Sequence, residues 1–340
     1  MFENIKSKYI LKIIFENIKN KKKLKIIKNS KRFIDRLDIT KHDFEQYNTL
    51  KELNNKFNTY ISDISIKDLD LSLKNIINNN DLKIFTEIEF KNLKHLNLGY
   101  NQISDIKCLG IFKYKKLEKL YLDKNIISSI QPLQNFDFKN LKELYLGNNK
   151  ISNIQPLVKV KLEKLEILNL NINFISDITI LKDVNFKELK ELYLLNNKIK
   201  DIEVFKNVKF KKLQVLDLWK NIISDINILE FVKFDELKEL NLGSNNISNI
   251  RVLERVEFPR LEILNLGGNQ ISDINALINF NFSELKELDL SFNNITDIKP
   301  FEKFRFKKLE KLYLWNNQID KMHNISIIKF LMIKIKVVHF

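Results

Sequence analysis

The chain has 340 residues, 44% apolar and 30% charged, with six Gly and four Pro, so it can bury a large core and is neither collagen-like nor compositionally disordered. Its one cysteine, Cys108, excludes an internal disulfide framework and a Cys-cluster zinc site, and four scattered histidines make no local metal motif. Net charge is +15, but it is unevenly spread: residues 1–60 carry +8, residues 61–90 carry −3, residues 321–340 carry +4, and +6 covers the other 230.

Residues 1–60 place Ile10, Leu11, Ile13, Ile14, Phe15 and Ile18, then Leu24, Ile26 and Ile27, at helical spacing with Lys between. This predicts two or three short helices, read as an amphipathic N-terminal cap. No small-residue cleavage site follows, and no uncharged apolar run reaches the roughly 18 residues of a membrane span. The expectation is an intracellular protein, cytoplasmic rather than nuclear, without a membrane span. The string ILKIIFENIKNKKKLKIIKNSKRF is similar to an F-box without its usual Leu-Pro opening, which implies a ubiquitin-ligase substrate adaptor as an alternative role.

Residues 61–92 alternate Leu69, Leu71 and Leu73 and read as an irregular capping coil, with Ile77 where the following pattern has Asn. From Leu93 to residue 320 the string LxxLxLxxNxIxxIxxL recurs ten times. Its asparagines, Asn101, Asn125, Asn149, Asn173, Asn197, Asn221, Asn245, Asn269, Asn293 and Asn317, are each 24 residues apart. LxL alternation predicts a short strand with Leu inward. An Asn at one buried slot per coil predicts a ladder that satisfies backbone groups where the chain leaves the sheet. Ser or Thr follows in eight of ten copies, often before Asp or Asn, which favours a tight turn. An apolar pair, Phe112 to Phe304 and Tyr114 to Phe306, then predicts an extended or single-turn return rather than a regular helix.

On NQISDI, NKISNIQPL and NNITDIKP the chain resembles the leucine-rich repeat family, closest in pattern to its SDS22-like and internalin-type subclass, though each copy here is two residues longer. The resemblance implies an α/β solenoid, a horseshoe with a parallel β-sheet on its concave face. It also implies a non-catalytic protein-binding module, or by analogy a phosphatase-regulatory subunit. Independently, no nucleotide, dinucleotide, metalloprotease or serine-hydrolase motif occurs. The Ser and Asp residues recur every 24 positions, whereas a reaction needs its residue once.

Outward strand positions are free of core packing, and there Tyr121, Tyr145, Tyr193, Asp217, Trp219, Glu239, Phe292, Tyr313 and Trp315 depart from the repeat. Exposed aromatics interleaved with seven carboxylates have the composition of a protein interface. Acidic groups in the same face argue against nucleic acid and for a basic protein partner, with no small-molecule substrate, cofactor or metal expected. Residues 321–340 drop the template but keep an alternation at Ile333, Ile335 and Val337, read as a strand-like C-terminal cap.

Overall fold

A computed structural model describes residues 41–61, 64–77, 79–111, 115–136, 138–304 and 306–340. The expected helices of residues 1–40, the F-box-like string, Phe112 and Tyr114 therefore lie outside the described residues.

Each repeat opens with a three-residue strand. These are β2 (His95–Asn97), β3 (Lys119–Tyr121), β4 (Glu143–Tyr145), β5 (Ile167–Asn169) and β6 (Glu191–Tyr193). The series continues through β7 (Val215–Asp217), β8 (Glu239–Asn241), β9 (Ile263–Asn265), β10 (Glu287–Asp289) and β11 (Lys311–Tyr313). With β1 (Asp68–Asp70) and β12 (Val337–His339) they form one parallel sheet of 12 strands in chain order, the concave face of a leucine-rich repeat solenoid. Leu96, Leu120 and Leu144 stack in register, all buried.

The strands are shorter than an LxLxx run suggests because the backbone turns left-handed just before each ladder Asn. Tyr100, Lys124, Asn148, Ile172 and the other non-glycine equivalents in the ten regular coils have φ between 50° and 55°, and only Gly268, with φ 68°, supplies the residue that tolerates this freely. The ladder nonetheless continues past the strand: Leu98 N–H donates to the Tyr121 carbonyl at 2.9 Å and Tyr100 N–H to that of Asp123 at 2.9 Å.

The asparagines bridge coils. Asn125 Nδ2 donates to the Leu98 carbonyl of the preceding coil at 3.0 Å and to its own Leu122 carbonyl at 3.1 Å. Its Oδ1 accepts from the preceding Ile103 N–H at 2.9 Å. Asn149 through Asn293 repeat these bonds and are buried, and Asn101 does so against the irregular first coil. Asn317 keeps its carbonyl partners but is only partly buried, because the next segment abandons the template.

The return is the single turn expected: a 3-10 turn of four or five residues, such as Gln131–Asn135, followed by extended backbone. The apolar pair then closes the core. Phe186 stacks on Phe210 and Phe234 on Phe258, each at 6.3 Å between ring centres.

Both ends depart from the repeat. Helix α1 (Lys41–Phe57) lays Leu50, Leu53 and Phe57 into the core, and Phe57 stacks on Phe85 at 5.8 Å. Its buried Gln46 donates to the Glu87 carbonyl at 2.6 Å and accepts from Glu89 N–H at 2.7 Å, so one side chain ties α1 to the first coil. Within that coil, α2 (Asn79–Leu82) and α3 (Ile84–Glu87) replace the regular return. Leu69 pairs with Leu96, a spacing of 27 rather than 24. The Asn slot therefore falls at Lys74 and not at Ile77. Leu73 is not a third core leucine: it occupies the left-handed position, with φ 58°, and is 72% exposed. At the other end, Ile333 is not in a strand but on helix α4 (Ile325–Lys334), whose Ile327, Ile328 and Leu331 are buried. That i, i+1, i+4 spacing is helical and outweighs the short period-two run after it. Only Val337–His339 returns to the sheet, beside β11.

Candidate protein-binding face

Two columns of side chains stand outward on the sheet. In one, Glu143, Glu191, Glu239 and Glu287 alternate with Ile167, Val215 and Ile263 on successive strands. In the other, Tyr and Asn/Asp alternate less regularly, and the two residue types behave differently.

The Asn and Asp side chains turn back on their own backbone. Asn169 Oδ1 accepts from Asn171 N–H at 3.0 Å, Asn265 from Gly267 at 2.8 Å, and Asp289 from Ser291 N–H at 2.8 Å. Asp217 does the same with Trp219 N–H at 3.0 Å and is only 8% exposed. Burial pushes its carboxyl above the ordinary range. Asp217 therefore is not the exposed charge its sequence position suggested; it shapes the turn that carries Trp219. Glycines beside these groups make room for them: a Cβ on Gly147 would sit 2.9 Å from Asn169 Oδ1, and one on Gly243 would sit 2.8 Å from both Asn265 Oδ1 and Trp219 Cδ1.

The aromatic residues do not form one cluster. Tyr121 stacks on Tyr145 at 4.7 Å, with planes 8° apart. Tyr193 lies beyond Asn169, and its hydroxyl donates to Glu191 at 2.8 Å. Burial and then the adjacent carboxylate raise the pKa of Tyr145 and Tyr193. Trp219 is half-buried with the Lys220 ammonium 5.7 Å from its ring. Phe292 sits at the left-handed position on the rim, past the strand, and meets Trp315 edge to face at 4.2 Å. Tyr313 stacks on His339 at 5.4 Å. Between Trp219 and the Phe292–Trp315 pair the floor is Gly243, Ser244, Gly267 and Gly268. This is a notch floored by two coils, with Trp219 and Phe292 three strand steps apart, about 14 Å at the usual strand spacing.

Charge compensation varies along the face. Glu143 is bound by Lys119 at 2.8 Å and Glu287 by Lys311 at 2.8 Å. Among the described residues the Glu191 carboxylate has no cation within ion-pair distance, and the Glu239 carboxylate has neither hydrogen bond nor ion pair. Burial first, then Asp217, Glu287 and Glu191, raises the Glu239 pKa.

Beside the sheet runs a feature that residue-by-residue reading overlooked. Lys94, Glu118, Lys142, Glu166 and Lys190 alternate in sign from coil to coil, and Glu118 binds both Lys94 and Lys142, the latter at 3.2 Å. A parallel row pairs Lys212 with Glu188 at 2.6 Å, Lys308 with Glu284 at 2.6 Å, and Arg260 with Glu236. The signal is present in the string as alternating LKxL and LExL, a period of two coils. Among the described residues no group of three or more His, Cys, Asp or Glu could hold a metal, and no helix is long and apolar enough to cross a membrane.

The family described as Leucine Rich repeats (2 copies) matches residues 91–135, 139–183, 187–230, 235–279 and 283–326, so the chain belongs to the leucine-rich repeat family. Leucine-rich repeat proteins act in protein–protein interaction and are typically non-enzymatic. The solved internalin inlF of Listeria monocytogenes is 27% identical, with 85% of this chain and 87% of that chain covered and a TM-score of 0.60. The functional domain of InlJ from Listeria monocytogenes shares the fold at 19% identity and a TM-score of 0.53, covering 87% of this chain and 59% of that one. The chain matched in a complex of Latrophilin 3, Unc5D and FLRT2 also shares it, at 21% identity, 83% and 85% coverage and a TM-score of 0.61. No curated protein sequence matches the chain.

Proposed function

We propose that the chain is a binding module whose concave face takes a basic segment of a protein partner. The observation that carries this reading is the uncompensated carboxylate of Glu239, set between Val215 and Ile263 on the neighbouring strands. A lysine or arginine side chain would lay its apolar stem on those two residues and its charge on Glu239 and Glu191. Trp219 on one side of the glycine-floored notch and Phe292 with Trp315 on the other supply apolar walls, and the tyrosines Tyr121, Tyr145, Tyr193 and Tyr313 extend the face. Phosphates would be repelled by the same carboxylates, which disfavours nucleic acid here.

Affinity capture from the native cell identifies the partner, and binding is then measured against variants. Trp219→Ala should weaken binding by roughly 2 kcal/mol without unfolding the chain, since its ring packs over Gly243 and not in the core. An adaptor in which residues 1–40 make the contact predicts the reverse, loss on their deletion and indifference to Trp219. Full affinity in a Trp219→Ala, Trp315→Ala double variant would end the concave-face reading.

A further inference from the structure

Just after each ladder Asn, one residue per coil faces solvent on the rim where the strands end. Five of these in succession are Ile126, Lys150, Phe174, Lys198 and Ile222. Their N–H groups donate to the carbonyls of Ile103, Ile127, Ile151, Ile175 and Ile199 in the preceding coils, at 2.8 to 3.0 Å. The five side chains are thereby held in register, one coil apart. Ile126, Phe174 and Ile222 are 41, 48 and 47% exposed. Amides bound the row at both ends, at Gln102 and Asn246, so it is a local feature and not a property of every repeat.

The lysines of this rim differ from those beside the sheet. Beside the sheet, lysines of the alternating rows are bound by Glu of the adjacent coil. On the rim, Lys198 rests 5.0 Å from the Phe174 ring and Lys220 5.7 Å from that of Trp219, while the Lys150 ammonium meets no partner among the described residues. Among the described residues none of the three has a carboxylate within ion-pair distance. The acids three residues past Phe174, Lys198 and Ile222, which are Asp177, Asp201 and Asp225, accept from the N–H groups that open the 3-10 turns, of Thr179, Glu203 and Asn227.

We propose that this rim is a second docking surface, separate from the concave face, for an acidic amphipathic helix of a protein partner. The spacing selects the occupant. Apolar side chains two coils apart recur about every 9.6 Å at the usual strand separation. A helix repeats a side chain every seven residues, about 10.5 Å along its axis, with the residues three and four on at the halfway point. Leu or Phe at every seventh position would meet Ile126, Phe174 and Ile222, and Glu between them would meet Lys150 and Lys198. An extended strand repeats at about 6.8 Å and falls out of step within one repeat. An anionic lipid surface offers charge without any such register.

The test uses the full chain and a labelled synthetic peptide of about three heptads, with Leu at each seventh position, Glu three and four residues after it and Ala elsewhere. Saturable binding that falls about tenfold in both Lys150→Glu, Lys198→Glu and Ile126→Ser, Phe174→Ser double variants, but not in Glu239→Gln, supports the rim. An unchanged circular-dichroism melt shows that the variants fold. The proposal is overturned by absence of saturable binding, or by equal binding of a shuffled peptide of the same composition. It is equally overturned if the double variants lose binding only to phosphatidylserine vesicles, which would make the rim a membrane contact. The Glu239→Gln arm keeps this result independent of the concave-face reading.

Discussion

A single side chain links neighbouring coils at every ladder position, and the amide of Asn197 is representative. It donates to the Leu170 and Leu194 carbonyls, both at 3.0 Å, and accepts from Ile175 N–H at 3.0 Å. Asn197→Ala strands these groups away from water and should cost on the order of 1–3 kcal/mol in denaturant unfolding, whereas exposed Lys187→Ala should stay within about 0.5. Equal losses would mean that the slot is open to solvent. Glu118 makes a second residue-scale prediction. Hydrogen bonds from Lys94 and then Lys142 lower its pKa from 4.5 to about 2. Because the folded value lies below the unfolded one, these contacts stabilise above 4.5, and that contribution is lost as pH falls toward about 2. Glu118→Gln should therefore show a smaller drop in melting temperature than wild type across that acid range.

The regular coil was the most legible element, because each of its parts is set by local chemistry repeated ten times. Alternating Leu fixed the strand faces, Asn the ladder, and Ser-Asp the turn. The end elements were harder to read, since what shapes them is contact with a neighbour of a different kind. Leu73 looks like a core leucine until the 27-residue spacing puts it on the left-handed turn, and Ile333 belongs to a helix whose buried side lies upstream of it. At the candidate site, Trp219 and Glu239 could be found by their departure from the repeat. The burial of Asp217 could not, because it follows from how its side chain folds onto Trp219 N–H. Helix α1 supplies the prediction at this scale. Leu53 is fully buried, so Leu53→Ala should cost about 2–5 kcal/mol locally. Since each coil contacts only its neighbours, hydrogen exchange should accelerate over residues 41–90 and stay unchanged in the central coils. Uniform acceleration along the chain would contradict that locality.

At the scale of the molecule, the sheet presents a mostly acidic centre while the net charge of the chain is +15, so its charge is segregated rather than balanced. The raised pKa of Glu239 makes this segregation pH-sensitive. As pH falls, Glu239 takes up a proton before an ordinary carboxylate does, and the concave face loses its uncompensated charge. Affinity for a basic partner should decline on acidification starting above the usual carboxylate range, and the Glu239→Gln variant should show a flatter profile. A decline confined to the range of an unperturbed carboxylate would assign the effect elsewhere.

The alternating charge rows also constrain how such a protein can change length. Excising one coil, residues 139–162, would set Glu118 against Glu166 and Lys116 against Lys164. Excising two, residues 139–186, would set Glu118 against Lys190 and Lys116 against Glu188, so both new contacts join opposite charges. The two-coil deletion should melt no lower than the one-coil deletion although it discards twice as much core. Parity as well as size then bears on which shortened or extended forms hold together, so coils are best removed from this chain in pairs.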